Sequence, residues 1–184
     1  MSIIEEIIFT GRVLYKEGLV TSHAGNISVR DKDKIYITKT GTMLGFLKEN
    51  DIVEVDVFKE TSNDKLASSE LIVHRRIYQE TDAKAVIHAH PVNTVALSFK
   101  LKDKFVPIDS EGKLFIKQAP IIEVDIPSAS QELALKVTDV LKNNSICIVK
   151  THGTFIKAHN LNYALKLTSD LEYCSKIFRL VKGL

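Results

Sequence analysis

The sequence predicts a three-layer α/β sandwich whose central sheet is mixed and mainly antiparallel, with helices on its faces. Stretches with apolar residues at helical spacing interleave with alternating or continuously apolar runs of strand length. The first two strands are separated only by the polar break Asp31-Lys32-Asp33-Lys34, so they pair as a hairpin and exclude a wholly parallel, doubly wound sheet. A chain of 184 residues with 45% hydrophobic composition suits one domain over 1–184. At that size roughly 70% of the unfolded surface is buried, enough to form a core without disulfides.

Ile4, Ile7, Ile8, Val13 and Leu14 lie at helical spacing, and Gly18 stops an opening helix over 3–17. Turn formers follow over Thr21 to Asn26, then the hairpin of Ile27-Ser28-Val29-Arg30 and Ile35-Tyr36-Ile37-Thr38. Beyond the loop Thr40 to Gly45, the alternation of Ile52 to Phe58 predicts a half-buried strand. Ser68 and Ser69 supply a serine N-cap to a helix running to about Glu80. Ala85 to His90 reads as a buried strand closed by Pro91, which leads into a helix over 92–100. A strand over Ile121 to Val124 precedes a helix from Ser130 to Leu141. The run Ile146 to Lys150 is apolar again, Phe155 to Lys157 continues it, and Asn160 caps the final helix.

Composition narrows the function. Twenty-five basic residues against 23 acidic ones, scattered without a block, leave no nucleic-acid footprint. The start Met-Ser-Ile-Ile-Glu-Glu carries acids where a signal peptide needs bases, and no apolar run approaches the roughly 18 residues of a membrane span, so a cytoplasmic protein without membrane partners is expected. Cys147 and Cys174 sit in apolar patterns and read as small buried hydrophobes.

His88 and His90 are two apart in a strand, so both side chains leave one face and can converge. His152 follows an apolar strand and precedes Gly153, which lets the backbone turn and approach closely. Three imidazoles that leave a fourth position open describe a catalytic metal site. Glu70 opens a helix after two serines; the helix start and the Ser68 and Ser69 hydroxyls suit a phosphate, hence a phosphorylated substrate. The loops Ala24-Gly25-Asn26 and Thr40-Gly41 each pair a glycine with a small hydrogen-bonding side chain, as phosphate cradles do. His74, one turn after Glu70, reads as helix packing, His23 as a loop residue near the pocket, and His159 as solvated. Glu5 and Glu6 read as ordinary surface charges.

Gly-Asn-x-Ser at 25–28, Thr-x-Thr-Gly at 38–41, Ser-Ser-Glu at 68–70, His-x-His-Pro at 88–91 and His-Gly at 152–153, in this order over nearly the whole chain, resemble the class II aldolase and adducin family, in particular its L-fuculose-1-phosphate aldolases. The resemblance implies a divalent metal, zinc by default, held by His88, His90 and His152. Glu70 would be a resting metal ligand or, with substrate bound, the catalytic acid/base. It further implies that Gly25, Asn26, Thr40, Gly41, Ser68 and Ser69 contact a small phosphorylated sugar. The implied reaction is reversible cleavage of a ketose 1-phosphate to dihydroxyacetone phosphate and a short aldehyde such as L-lactaldehyde, in a homotetramer.

The resemblance has a gap. The fuculose-phosphate aldolases place a tyrosine after the second metal histidine, whereas this chain reads Val106-Pro-Ile-Asp-Ser-Glu-Gly112, so either Asp109 or Glu111 takes that task or the aldehyde specificity differs. Within the same superfamily stand pentulose-phosphate 4-epimerases, which usually carry aspartate in place of Glu70, and sugar-phosphate dehydratases. Adducin-like binding modules lack the metal histidines.

Overall fold

The computed structural model describes residues Met1–Leu184. It opens with α1 (Ile3–Lys16), whose N-cap Ser2 accepts a hydrogen bond from the Glu5 amide while the Glu5 carboxylate accepts one from the Ser2 amide. Glu5 is exposed, as a surface charge is, and it also closes the capping box with Ser2. The hairpin follows as β1 (Asn26–Asp31) and β2 (Lys34–Thr38), paired through Arg30 opposite Ile35. Strand β3 (Ile52–Asp56) ends earlier than the alternation predicted, because Asp56 Oδ1 accepts from the Phe58 and Lys59 amides and turns the chain.

Helix α2 (Leu71–Glu80) starts one position later than a serine cap requires: Glu70 occupies the N-cap position, and Ser68 Oγ accepts from the Glu70 amide instead. The chain continues as β4 (Ala85–Ala89), α3 (Val92–Ser98), β5 (Lys104–Phe105), α4 (Ser110–Phe115) and β6 (Ala119–Ile122). It ends with α5 (Gln131–Leu141), β7 (Ile146–Val149), β8 (Gly153–Ala158) and α6 (Leu161–Lys182). Ser130 and Asn160 cap α5 and α6 as their side-chain chemistry foretold. Two elements carried no sequence signal, β5 of two residues and α4 of six. The apolar runs Ile146 to Lys150 and Phe155 to Lys157 belong to two antiparallel strands, joined by a tight turn at Lys150–His152 next to Gly153.

The eight strands form one sheet in the order β3-β2-β1-β4-β8-β7-β6-β5, and among the paired strands β6 and β7 alone run parallel. The strand period of two splits the core. Ile27, Ile87 and Ile156 point toward α1, α3 and α6, whereas Ile35, Val86, Cys147 and Phe155 point toward α2 and α5. Both cysteines are buried and free, and no helix is long and apolar enough to cross a membrane.

Strand β4 lies between β1 and β8, antiparallel to both, so the C-terminal end of β4 meets the first residues of the other two. His88 faces Asn26 on one side and Phe155 on the other. The loop after β2 and the start of α2 reach the same end of the sheet, where Ser68 N–H donates to the Thr38 carbonyl.

Candidate metal centre and substrate pocket

The strand parity that sends Val86 toward α2 also sends His88 to that face, and the ring of His88 is buried. Its Nδ1 lies 3.0 Å from the Thr154 carbonyl oxygen, so Nδ1 carries the proton and donates, leaving the Nε2 lone pair free. His90 Nε2 is 2.9 Å and His152 Nε2 3.1 Å from that nitrogen. The three ring centroids are 4.7, 4.9 and 5.0 Å apart.

Burial disfavours the imidazolium form of all three. His88 is pushed well below the ordinary histidine range, first by desolvation and then by the other two rings. His90 is lowered to about 4 by desolvation and by His152. Desolvation also lowers His152, against a hydrogen bond to the Pro127 carbonyl that favours its charged form. One lone pair on His88 Nε2 faces two neighbouring nitrogens and can accept only one N–H along its axis. A cation satisfies three converging neutral imidazole nitrogens better than any proton arrangement, and borderline-soft divalent ions suit such donors. The group His88, His90 and His152 can therefore hold a metal ion.

The turn that delivers His152 depends on Gly153. A Cβ there would lie 2.4 Å from the Ala89 carbonyl oxygen and 3.0 Å from His90 Cδ2, closer than atoms pack. Thr151, just before His152, adopts φ 64°, a left-handed conformation that is costly for a β-branched residue. Gly25 has φ 83° and sits where a Cβ would come 2.8 Å from the His88 carbonyl oxygen.

Glu70 lies nearby with 4% exposure. Its Oε1 accepts from Ser128 Oγ at 3.1 Å and from the Ala129 amide at 3.3 Å, while Oε2 has no partner. Desolvation raises its pKa, and the bonds from Ala129 and Ser128 hold the rise back. The carboxyl group is thus buried with one free oxygen, and it is not one of the three side chains that cluster within metal-binding distance. Asn26 Oδ1 is also buried without a partner.

Gly25, Asn26, Thr40, Gly41, Ser68, Ser69, Glu70, His88, His90 and His152, the residues expected to hold metal or substrate, line one cavity of about 150 Å³ whose lining has no hydrophobic residue. Lys39, Thr42 and Ser128 line it too, and so does His23. Sequence reasoning missed Ser128 and Ala129 because they reach Glu70 from a loop with no motif. Asp109 and Glu111 are not in this lining; Asp109 instead caps α4 by accepting from the Gly112 amide. His74 packs beneath the pocket, its Nδ1 2.6 Å from Ser28 Oγ, which is 2.7 Å from the Tyr78 hydroxyl. His159 is exposed.

Comparison with known proteins places this geometry in context. The L-fuculose phosphate aldolase of Methanococcus maripaludis strain C5 is 32% identical over 173 residues, 94% of this chain and 93% of that protein. The L-fuculose phosphate aldolase of Methanocaldococcus jannaschii is 35% identical over 167 residues, 90% of each chain. The crystal structure of l-fuculose-1-phosphate aldolase from Thermus thermophilus superposes with a TM-score of 0.92 at 34% identity, covering 98% of this chain and 96% of that one. The family model described as Class II Aldolase and Adducin N-terminal domain matches residues 5–178, and with the sheet order and the histidine cluster this establishes that the chain belongs to the class II aldolase and adducin family.

Proposed function

We propose that the protein is a metal-dependent aldolase that reversibly cleaves a ketose 1-phosphate resembling L-fuculose 1-phosphate into dihydroxyacetone phosphate and a short aldehyde such as L-lactaldehyde. The observation that carries this reading is the convergence of His88, His90 and His152 in the pocket that also holds the half-satisfied carboxylate of Glu70. Zinc, one ion per subunit, is the proposed metal. When bound, it supplies Lewis acidity that stabilises negative charge on the substrate oxygens.

The rest falls to side chains. Glu70 Oε2, free of hydrogen bonds, takes the proton from the hydroxymethyl carbon in the condensation direction and returns it on cleavage. Burial raises the basicity of this carboxylate, while Ser128 and Ala129 fix its orientation through Oε1. Ser68, Ser69, Thr40 and Gly41 are assigned to the phosphate, and Gly25 and Asn26, whose side-chain amide N–H can donate to it, to its flank. Holding the phosphate sets the carbon to be deprotonated at a fixed distance from Glu70. The proposed working form is a homotetramer of one-domain subunits in the cytoplasm. Exposed Tyr173, Leu180 and Val181 on α6 support association.

Phosphorus NMR of the zinc-loaded protein with dihydroxyacetone phosphate and L-lactaldehyde tests the reading. A new ketose 1-phosphate resonance that disappears with chelator is expected. Its absence from metal-loaded protein, with L-lactaldehyde and then with glycolaldehyde, would reject the aldolase in favour of epimerase or dehydratase chemistry.

A further inference from the structure

Helix α3 begins two residues after His90 and starts without a cap of its own. Its N-cap position is Pro91, whose side chain accepts nothing, so the amides of its first turn need an acceptor from elsewhere. Glu172 of α6 supplies it. Glu172 Oε1 accepts from the Asn93 amide at 2.9 Å and from Asn93 Nδ2 at 2.8 Å. Glu172 Oε2 accepts from the Thr94 amide at 3.0 Å and from Thr94 Oγ1 at 3.1 Å. Arg179, two turns further along α6, donates to Asn93 Oδ1 at 2.6 Å, so the first turn of α3 is clamped from a single face of α6.

The other end of α3 reaches the second histidine loop. Ser98 Oγ donates to the Val95 carbonyl within α3 and accepts from the Thr151 amide at 3.0 Å. Thr151 is the residue with φ 64° that turns the chain into His152. Helix α3 therefore links the two loops that present His90 and His152, bonded at one end to Glu172 and at the other, through Ser98, to Thr151.

We infer that Glu172 is a positioning residue for the metal centre, acting through α3 on both His90 and His152 although it touches neither. The inference rests on the reading of the three histidines as a metal site. Partners that orient metal ligands from outside the coordination sphere typically change metal affinity by about 10- to 100-fold when removed. A residue that only joined α6 to α3 would change stability and leave metal affinity alone.

The test is zinc affinity by competition with a chromophoric chelator, together with the visible absorption of the cobalt-substituted protein, for wild type, Glu172→Gln, Ser98→Ala and Asp64→Asn. Glu172→Gln keeps the shape but puts an amide NH₂ against donors, and is expected to weaken zinc binding by about 10- to 100-fold and to shift the cobalt bands. Ser98→Ala is expected to weaken zinc binding severalfold. Asp64→Asn breaks the ion pair with Arg75 elsewhere on the fold, so it controls for general destabilisation and should bind zinc as wild type does. Wild-type zinc affinity and cobalt bands in Glu172→Gln would overturn the inference. If Glu172→Gln does not fold, Ser98→Ala decides, and wild-type behaviour there overturns it. A wild-type protein that binds neither ion would overturn the metal reading and the inference with it.

Discussion

His88 and Phe155 face each other across the β4–β8 ladder with ring centroids 4.2 Å apart and planes 16° from parallel. The stack, together with the hydrogen bond from Nδ1 to the Thr154 carbonyl, leaves the imidazole one orientation, with Nε2 toward His90 and His152. Phe155→Leu keeps an apolar side chain in the core but removes the flat surface. Zinc affinity is expected to fall by about tenfold, with a stability loss of about 1–2 kcal/mol. Chelator competition and urea melts read the two effects separately, and an unchanged zinc Kd would remove the stack from the centre's design.

Gly153→Ala places a methyl group against the Ala89 carbonyl and the His90 ring. Because β4 and β8 are paired on both sides within the sheet, the clash cannot be relieved by moving an edge. The variant is expected to lose about 1–3 kcal/mol, as overpacked cores do, and to bind zinc weakly. Calorimetric melting with and without the metal checks both; a variant that gains as much from zinc as wild type does would contradict it.

Thr151→Gly should act in the opposite sense on stability. The Thr151 side chain is exposed, and its φ of 64° is natural for glycine. Relief of strain of about 1–3 kcal/mol exceeds the glycine entropy penalty of about 0.5–1 kcal/mol. The net gain of about 1 kcal/mol corresponds to a rise in Tm of roughly 2–4 °C at this chain length. A lower Tm would show that the threonine side chain contributes contacts outweighing its backbone.

His74 gives the metal-free protein a pH dependence. Burial lowers its pKa from 6.5 to about 3, so the folded state keeps it neutral where the unfolded chain protonates it. Between those values the unfolded state binds one more proton, and stability falls as pH falls, by about 1.4 kcal/mol per pH unit. Above about pH 6.5 this contribution is constant. Urea midpoints of wild type and His74→Gln should diverge in slope between pH 6 and 4, and parallel slopes would count against it.

Glu70→Gln retains the size of the side chain and can keep the bonds from Ser128 and Ala129, but it cannot take a proton. Turnover is expected to fall by about 10²- to 10⁴-fold, with zinc binding and the Michaelis constant for the phosphorylated ketose little changed. Steady-state kinetics on the cleavage reaction separate the two. Undiminished turnover would assign the proton transfer elsewhere.

Much of this arrangement is legible in the residues themselves. His88 and His90 announce a shared face because strand side chains alternate, and Ser130 and Asn160 announce helix starts because their side chains can cap. The cap expected at Ser69 failed because Glu70, turned toward Ser128 and Ala129, itself occupies the first position. What no local pattern carries is contact between distant segments. Glu172 reads as one more acid on a long helix until α3 meets it, and Ser128 reads as a loop serine until Glu70 does. Strand β5 is too short to show a period, and α4 contains Gly112, a poor helix former. The turn before Gly153 is legible from that glycine, but the left-handed backbone of Thr151 is not, because it runs against the preference of a β-branched residue.

The position of β4 between β1 and β8 also sets when the centre can exist. His88 is aligned by partners that lie far back in the sequence at Asn26 and far ahead at Phe155, and its neighbour His152 follows it by 64 residues. The strands from Asn26 to Phe155 must all be in place before the three imidazoles can meet, so a segment that holds only His88 and His90 lacks the converged trio. On the proposed metal reading, uptake of the ion reports the completion of folding, and its release reports the opening of the strands around β4.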